Sequence, residues 1–263
     1  MIFLIDIGNS RIKIGACENP NLKDAIKTYY CDNLSTINSI FSKAAKNIKS
    51  IDSVIISSVV PELNEEIKKI ISQKFKLDPI FISTDLKTGI KFNYSPVSDL
   101  GPDRIADSVA AHNNYQKGKY KIVVDFGTAT VFEVISDKGE FLGGSIFPGL
   151  EVASKALSLK ASLLSEIDFD KWDDSQKVIG NTTNEALKSS IYWGYISLTD
   201  GIVKKIIDEL ELNRSECIII GTGGFANIIN NQISIFDKID QNLTLEGMRI
   251  IYNMNLNDEY FKK

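Results

Sequence analysis

The stretch MIFLIDIGNSRIKIG, residues 1–15, decides the fold. Its apolar run stops at Asp6, turns through Gly8, Asn9 and Ser10, and resumes in alternation with Ile12 and Ile14. That pattern reads as two strands, residues 1–7 and 11–17, around a tight turn. A close analogue, KIVVDFGTATVFEVI, fills residues 121–135, and its Asp125 falls 119 positions after Asp6. Two copies of one strand–turn–strand unit predict two similar α/β lobes facing each other, with a ligand between them. The glycines let backbone approach a polyanion closely, while Asn, Ser and Thr side chains and turn amides offer donors to phosphate oxygens. A carboxylate at a strand end is a poor phosphate ligand. Asp6 and Asp125 are therefore expected to hold a cation, or its water shell, that neutralises the phosphates.

Outward from these hairpins, SVIISSVV at 53–60 reads as a buried strand ended by Pro61, and PIFIS at 79–83 as a shorter one. Helical periodicity covers 35–49, 62–74 and 103–117, the last with Asp103 at its start. After the second hairpin, KGE at 138–140 makes a turn and FLGGSIFPG at 141–149 reads as a glycine–proline bend. Helices are predicted over 150–164, 183–193 and 197–211, and CIIIGTGG at 217–224 supplies another buried strand and glycine turn. No Ser- or Pro-rich linker interrupts the chain. The break between halves is topological, giving lobes 1–118 and 119–263.

Composition narrows the function classes. With 263 residues and 43% hydrophobic content the chain can bury a large core. Net charge is -4, the pI is near 5.2, and the 30 basic residues form no long block, so neither nucleic acid nor a membrane surface is an expected partner. The apolar start is too short for a signal peptide or a membrane span, which predicts a cytoplasmic protein. Cys17, Cys31 and Cys217 stand apart with no CxxC pair, and read as structural thiols. His112 is the single histidine and has no serine elbow beside it, which argues against a Ser-His-Asp hydrolase.

Chemistry concentrates at GPDR, residues 101–104. Phosphorylating an alcohol needs a base for the hydroxyl proton, in-line attack on phosphorus and cations to absorb charge. Asp103 follows a Gly-Pro turn at a helix start, where it either caps the helix or acts as that base. Arg104 beside it can receive a carboxylate. Lys13, on the strand face of Arg11 just beyond the first turn, can reach a phosphate as a point charge or stand as a solvated strand residue.

DIGNS, DFGTAT and GTGG, each following an apolar strand in that order, resemble the superfamily of actin, sugar kinases and heat-shock chaperone ATPases. The resemblance implies two ribonuclease H-like lobes with mixed sheets flanked by helices and nucleotide in the interlobe cleft. In it the first hairpin holds the β- and γ-phosphates, the second completes the cleft and the GTGG turn lies near the nucleoside. The P-loop and the GxGxxG fingerprint are both absent.

Nearly the whole chain is similar to a narrower family, the type III pantothenate kinases. The residues that carry the likeness are DIGNSRIKIG at 6–15, ISSVVP at 56–61, Tyr94, GPDR at 101–104, DFGTAT at 125–130, GGSIFPG at 143–149, GNTT at 180–183, GTGG at 221–224 and LTLEG at 243–247. The resemblance implies ATP-dependent phosphorylation of pantothenate, the first step toward coenzyme A, by a homodimer that uses Mg-ATP and a monovalent cation, potassium or ammonium. It implies ATP contacts at Asp6, Ile7, Gly8, Asn9, Ser10, Arg11, Ile12, Lys13 and Thr128. Substrate contacts fall at Tyr94, Gly101, Pro102, Asp103, Arg104 and Thr182, with Asp103 as the base. Asp125 matches the potassium position, and Asp6 meets magnesium directly or through water. Each residue also has a structural alternative: Tyr94 as a half-buried loop aromatic, Thr182 as a helix cap, Asp125 paired to a backbone donor.

The chain departs from the family pattern in places. Ser10 replaces the usual threonine, Val131 and Glu133 replace Thr and Asp, and SSIYWG at 189–194 lacks a glycine before its apolar pair. ALSLKASLLSEIDF at 156–169 stands where the family has Thr-Ala-x-Leu-Pro, with Lys160, Ala161 and Leu164 at those places; the resemblance puts this segment at the substrate end and the dimer contact. Two other functions remain open at this point: a kinase of another small hydroxylated acid or sugar, and a non-catalytic nucleotide-binding accessory protein.

Overall fold

The alternation of the opening stretch becomes a hairpin in the computed structural model, which describes residues 1–23, 25–46, 50–160, 164–169 and 177–256. β1 (Ile2–Ile7) and β2 (Ile12–Cys17) pair antiparallel, with Ile2 opposite Cys17 and Ile7 opposite Ile12. Gly8 closes the turn: its N–H donates to the Arg11 carbonyl at 3.1 Å. β3 (Ile26–Cys31), which has no counterpart among the predicted strands, pairs antiparallel with β2. Its pattern IKTYYC is half-exposed, as an edge strand's is, so it shows no apolar run.

α1 (Ile37–Ala44), β4 (Ser53–Ser58), α2 (Asn64–Phe75) and β5 (Ile80–Phe81) follow, with β4 parallel to β1 and β5 parallel to β4. Of the predicted helix 35–49, residues 47–49 lie outside the described residues. The sheet order is β3-β2-β1-β4-β5. Period-2 alternation gives this sheet two buried faces. Phe3, Ile5, Ile7, Ile12, Ile14, Val54 and Ile56 pack on one side with Ile37 and Phe41 of α1 and Ile67 and Ile71 of α2. Asp6, Lys13 and Ser57 belong to the opposite face by the same alternation, since Asp6 stands opposite both Lys13 and Ser57.

That second face is covered by α3 (Pro102–Asn114) and α7 (Leu243–Asn255), which pack on each other and on β1 and β4. α7 has no counterpart among the predicted helices. It places LTLEG: a Cβ at Gly247 would fall 1.8 Å from the Ala106 carbonyl oxygen, and one at Gly15 of β2 would fall 3.1 Å from Leu245. A buried ion pair, Arg249 to Glu246 at 2.7 Å, fixes α7 further, and Arg249 also donates to the Pro20 carbonyl at 2.6 Å. By packing, α7 goes with the first compact unit, Met1–Tyr115 plus Gly139–Phe141, although in sequence it lies within 119–263. Gly247→Ala is expected to cost about 3 kcal/mol, because backbone on both helices must move apart. Gly201→Ala, in a helix where a Cβ meets nothing within 4 Å, is expected to gain about 0.5–1 kcal/mol. Thermal melts of the two variants should therefore shift in opposite directions.

The second unit repeats the plan. β7 (Tyr120–Phe126) and β8 (Ala129–Ile135) form the hairpin, with β6 (Lys91–Phe92) pairing with the first residues of β9 (Glu140–Pro148) inside the first unit. The glycine–proline bend predicted over 141–149 is instead mostly strand. Gly144 permits this, because a Cβ there would meet the Phe132 carbonyl oxygen of β8 at 1.7 Å. α4 (Leu150–Lys160) follows; residues 161–163 of its predicted extent, Ala161 among them, lie outside the described residues. α5 (Thr183–Glu209) runs unbroken where two helices were expected, since Gly194 lowers helix propensity by only about 1 kcal/mol and the apolar packing on either side continues through it. β10 (Cys217–Gly223), α6 (Ala226–Asn230) and β11 (Lys238–Ile239) complete the order β11-β10-β7-β8-β9, the same arrangement as the first sheet with β10 parallel to β7. The sequence repeat is thus a repeat of ribonuclease H-like topology.

Candidate functional site

In the first unit the end of β1 carries Asp6, half-buried on the face under α3. Ser57 of β4, fully buried, donates its hydroxyl to Asp6 Oδ1 at 3.0 Å. Lys13 flanks Asp6 from the other neighbouring strand. Burial and the nearby Asp103 carboxylate raise the Asp6 pKa to about 6, and the Ser57 hydroxyl and the Lys13 ammonium oppose that rise. A buried acid with a second carboxylate near enough to raise its pKa makes a site suited to a cation. Ser57 has no assigned role within the motif ISSVVP, because a serine in an apolar strand looks like ordinary strand; only the parallel register of β1 and β4 puts it opposite Asp6.

Asp103 sits in the first turn of α3, one residue after Pro102, while Gly101 is the N-cap residue. Its Oδ1 accepts from the Arg104 N–H at 2.8 Å. Gly101 makes room for this carboxyl, since a Cβ there would fall 2.5 Å from the same oxygen. Burial raises the Asp103 pKa, opposed by the Arg104 amide and guanidinium. So Asp103 does contact a first-turn amide, and its elevated basicity also suits proton abstraction. Arg104, 9% exposed, lies over two aromatic rings, Tyr94 at 5.3 Å and Phe141 at 5.4 Å. Tyr94 is indeed half-buried, edge-on to Phe141 at 5.8 Å.

Around the first turn, Asn9, Ser10 and Arg11 are exposed, Ile7 and Ile12 are core, and Gly8 tolerates no easy side chain, with the Arg11 carbonyl 3.2 Å from a Cβ there. Arg11 lies over the Tyr30 ring at 5.6 Å.

The second unit holds Asp125, Thr128 and Thr182. Asp125 ends β7 opposite Thr222 of β10, repeating the register that sets Asp6 opposite Ser57. A Cβ at Gly223 would lie 2.3 Å from Asp125 Oδ1, and Gly223 has φ +86, so the GTGG turn is glycine for space and for backbone conformation alike. Thr128 is exposed in the second hairpin turn, whose carbonyl accepts from Gly149 N–H at 2.8 Å. Thr182 is the N-cap of α5: its Oγ1 accepts from Glu185 N–H at 3.2 Å, and Glu185 Oε2 accepts in return from Thr182 N–H at 3.1 Å. GNTT is therefore a capping box. A threonine hydroxyl that accepts one amide keeps its own proton to donate, so the cap leaves a ligand contact open. Among the described residues no group of three or more His, Cys, Asp or Glu side chains is placed to hold a metal, and no helix is long and apolar enough to cross a membrane. The Asp6 carboxylate, with its second acid nearby, is a donor set that fits magnesium shared with phosphates and water, and the Asp125 carboxylate is a hard oxygen donor of the kind a monovalent cation takes.

The pattern of the family "Type III pantothenate kinase" matches residues 2–205. A type III pantothenate kinase of Koribacter versatilis is 34% identical over 97% of this chain and 96% of its own. Among solved structures, a protein of Campylobacter jejuni described as a Baf-family transcriptional activator has a TM-score of 0.60 at 21% identity, covering 97% of this chain and 99% of that one. The activator of 2-hydroxyisocaproyl-CoA dehydratase from Clostridium difficile, solved with ADPNP bound, has a TM-score of 0.52 at 12% identity, covering 99% and 97%. These two share the fold. The match over residues 2–205 takes in the Asp6 turn, GPDR, the Asp125 turn and the α5 cap together, and with it the chain belongs to the type III pantothenate kinase family.

Proposed function

We propose that the chain phosphorylates pantothenate with ATP to give 4'-phosphopantothenate and ADP, the opening step of coenzyme A synthesis. The observation that carries this reading is the placement of two acids in the first unit, Asp6 on β1 held by the buried Ser57 hydroxyl and Asp103 at the start of α3 with its carboxyl on the Arg104 amide, within a chain of this family. Asp103 takes the proton of the attacking hydroxyl while that oxygen bonds to the γ-phosphorus and the bond to ADP breaks. Asp6 holds magnesium, directly or through water, and magnesium supplies charge neutralisation for the phosphates. The turn from Ile7 to Ile12, with Lys13 and Thr128, binds ATP. Tyr94, Gly101, Pro102, Arg104 and Thr182 bind pantothenate, and Asp125 holds potassium or ammonium.

The working form is a homodimer in the cytoplasm. Large apolar side chains of the second unit support the dimer: Leu142 and Ile146 of β9, Val152, Leu157 and Leu159 of α4, and Ile179 are exposed, Ile179 by 79%. Sedimentation velocity at about twice the chain mass checks it, and cell fractionation checks the compartment.

ADP release with Mg-ATP and pantothenate, run in potassium and in sodium, tests the activity. Pantothenate-dependent release that requires potassium is the expected result. Release only with another hydroxylated acceptor would replace the substrate, and ATP binding without turnover on any acceptor would replace the enzyme by an accessory protein.

A further inference from the structure

Phe141 has no place in any motif quoted for ligand contact, yet it is fully buried against the one cation of GPDR. The parallel pairing of β6 with the start of β9 brings it there: Phe92 stands opposite Phe141, and Asn93 N–H donates to the Phe141 carbonyl at 3.0 Å. Two residues beyond Phe92, Tyr94 reaches the same ring. Arg104 then lies over both, within 5.3 and 5.4 Å of their centres. A guanidinium is a flexible, rotamer-rich group, and its N–H donors lie in its own plane. Aromatic faces attract it without consuming a donor, so they restrict its position without competing with a carboxylate for its fork.

We infer that Phe141 is a specificity-determining positioning residue: its ring, with that of Tyr94, fixes the Arg104 guanidinium so that the site selects an acceptor bearing a carboxylate over its neutral counterpart. The inference rests on the reading of Arg104 as the carboxylate contact. Phe141 acts through Arg104 and does not touch the reacting atoms.

The test compares binding of pantothenate and of its neutral primary amide by calorimetry, with steady-state kinetics alongside, in wild type, Arg104→Gln and Phe141→Leu. Arg104→Gln should lower the acid-over-amide preference by about a hundredfold. Phe141→Leu should lower it by about tenfold, in the range of a desolvated cation–π contact, with the loss in the KM for pantothenate and kcat little changed. Pentafluorophenylalanine incorporated at position 141 keeps the ring's shape and reverses its charge distribution, so it should reproduce the loss without a cavity. If Arg104→Gln collapses the preference and both Phe141 changes leave it intact, or weaken acid and amide equally, the positioning role is wrong. If Arg104→Gln leaves the preference intact, the reading of Arg104 itself is wrong and the inference falls with it.

Discussion

Asp103→Asn is expected to lower pantothenate-dependent turnover by about a thousandfold, with ATP affinity within about twofold of wild type. The amide is nearly the same size as the carboxyl and its oxygen can still accept from the Arg104 N–H, the contact that Asp103 Oδ1 makes at 2.8 Å. What it cannot do is take a proton from the substrate hydroxyl. Were Asp103 only a helix-start acid, the substitution would leave turnover intact and lower stability by no more than about 1 kcal/mol. Turnover from a coupled ADP assay, ATP binding by calorimetry and a thermal melt on the same preparation separate the two roles. Turnover within tenfold of wild type would remove Asp103 from the chemistry. The raised pKa adds a direction. A base must be ionised, so the acid limb of the wild-type rate profile should lie above the ordinary carboxylate range, with activity falling as pH drops through it.

The hairpins are legible because their signal is local. Apolar runs broken by Asp and Gly at 1–15 and 121–135 need only period-2 alternation and turn chemistry to be read, and they fix β1, β2, β7 and β8. The register of the parallel strands is not legible, since it is set by packing between segments some fifty or a hundred residues apart. For that reason Ser57 opposite Asp6 and Thr222 opposite Asp125 escape a reading of the sequence. Phe141 reads as part of a bend because Gly143 and Gly144 follow it, and glycine in a strand is recognisable only when the close neighbour, here the Phe132 carbonyl, is known. GNTT shows the opposite case. Its capping box, with Glu185 three residues after Thr182, is a signature carried by residue type and spacing alone, since both partners lie within one helical turn.

The same Asp6 that is proposed to hold magnesium works against the fold. A carboxyl whose folded pKa is about 6 against 3.8 for the free group keeps its proton in the fold at pH values where the unfolded chain has lost it. Between pH 3.8 and 6 the native state binds more protons, so Asp6 makes the fold less stable as pH rises through that window, and the full cost persists above it. At 1.36 kcal/mol per pKa unit the cost is roughly 3 kcal/mol. Asp6→Asn removes the charge and keeps an oxygen for the Ser57 hydroxyl. Without ligands it should therefore melt higher than wild type at pH 8 and no higher near pH 4, the difference growing between the two. Magnesium with ATP should reverse the ranking at pH 8, because ligand binding stabilises only the chain that binds it, and Asp6→Asn should lose kinase activity by at least a hundredfold. A variant that melts lower than wild type at pH 8 without ligands would mean that Asp6 is held by favourable partners in the fold, and the strained-acid account of this site would fail. A variant that melts higher but still gains stability from magnesium and ATP would move the cation away from Asp6, leaving the strain without a functional reason.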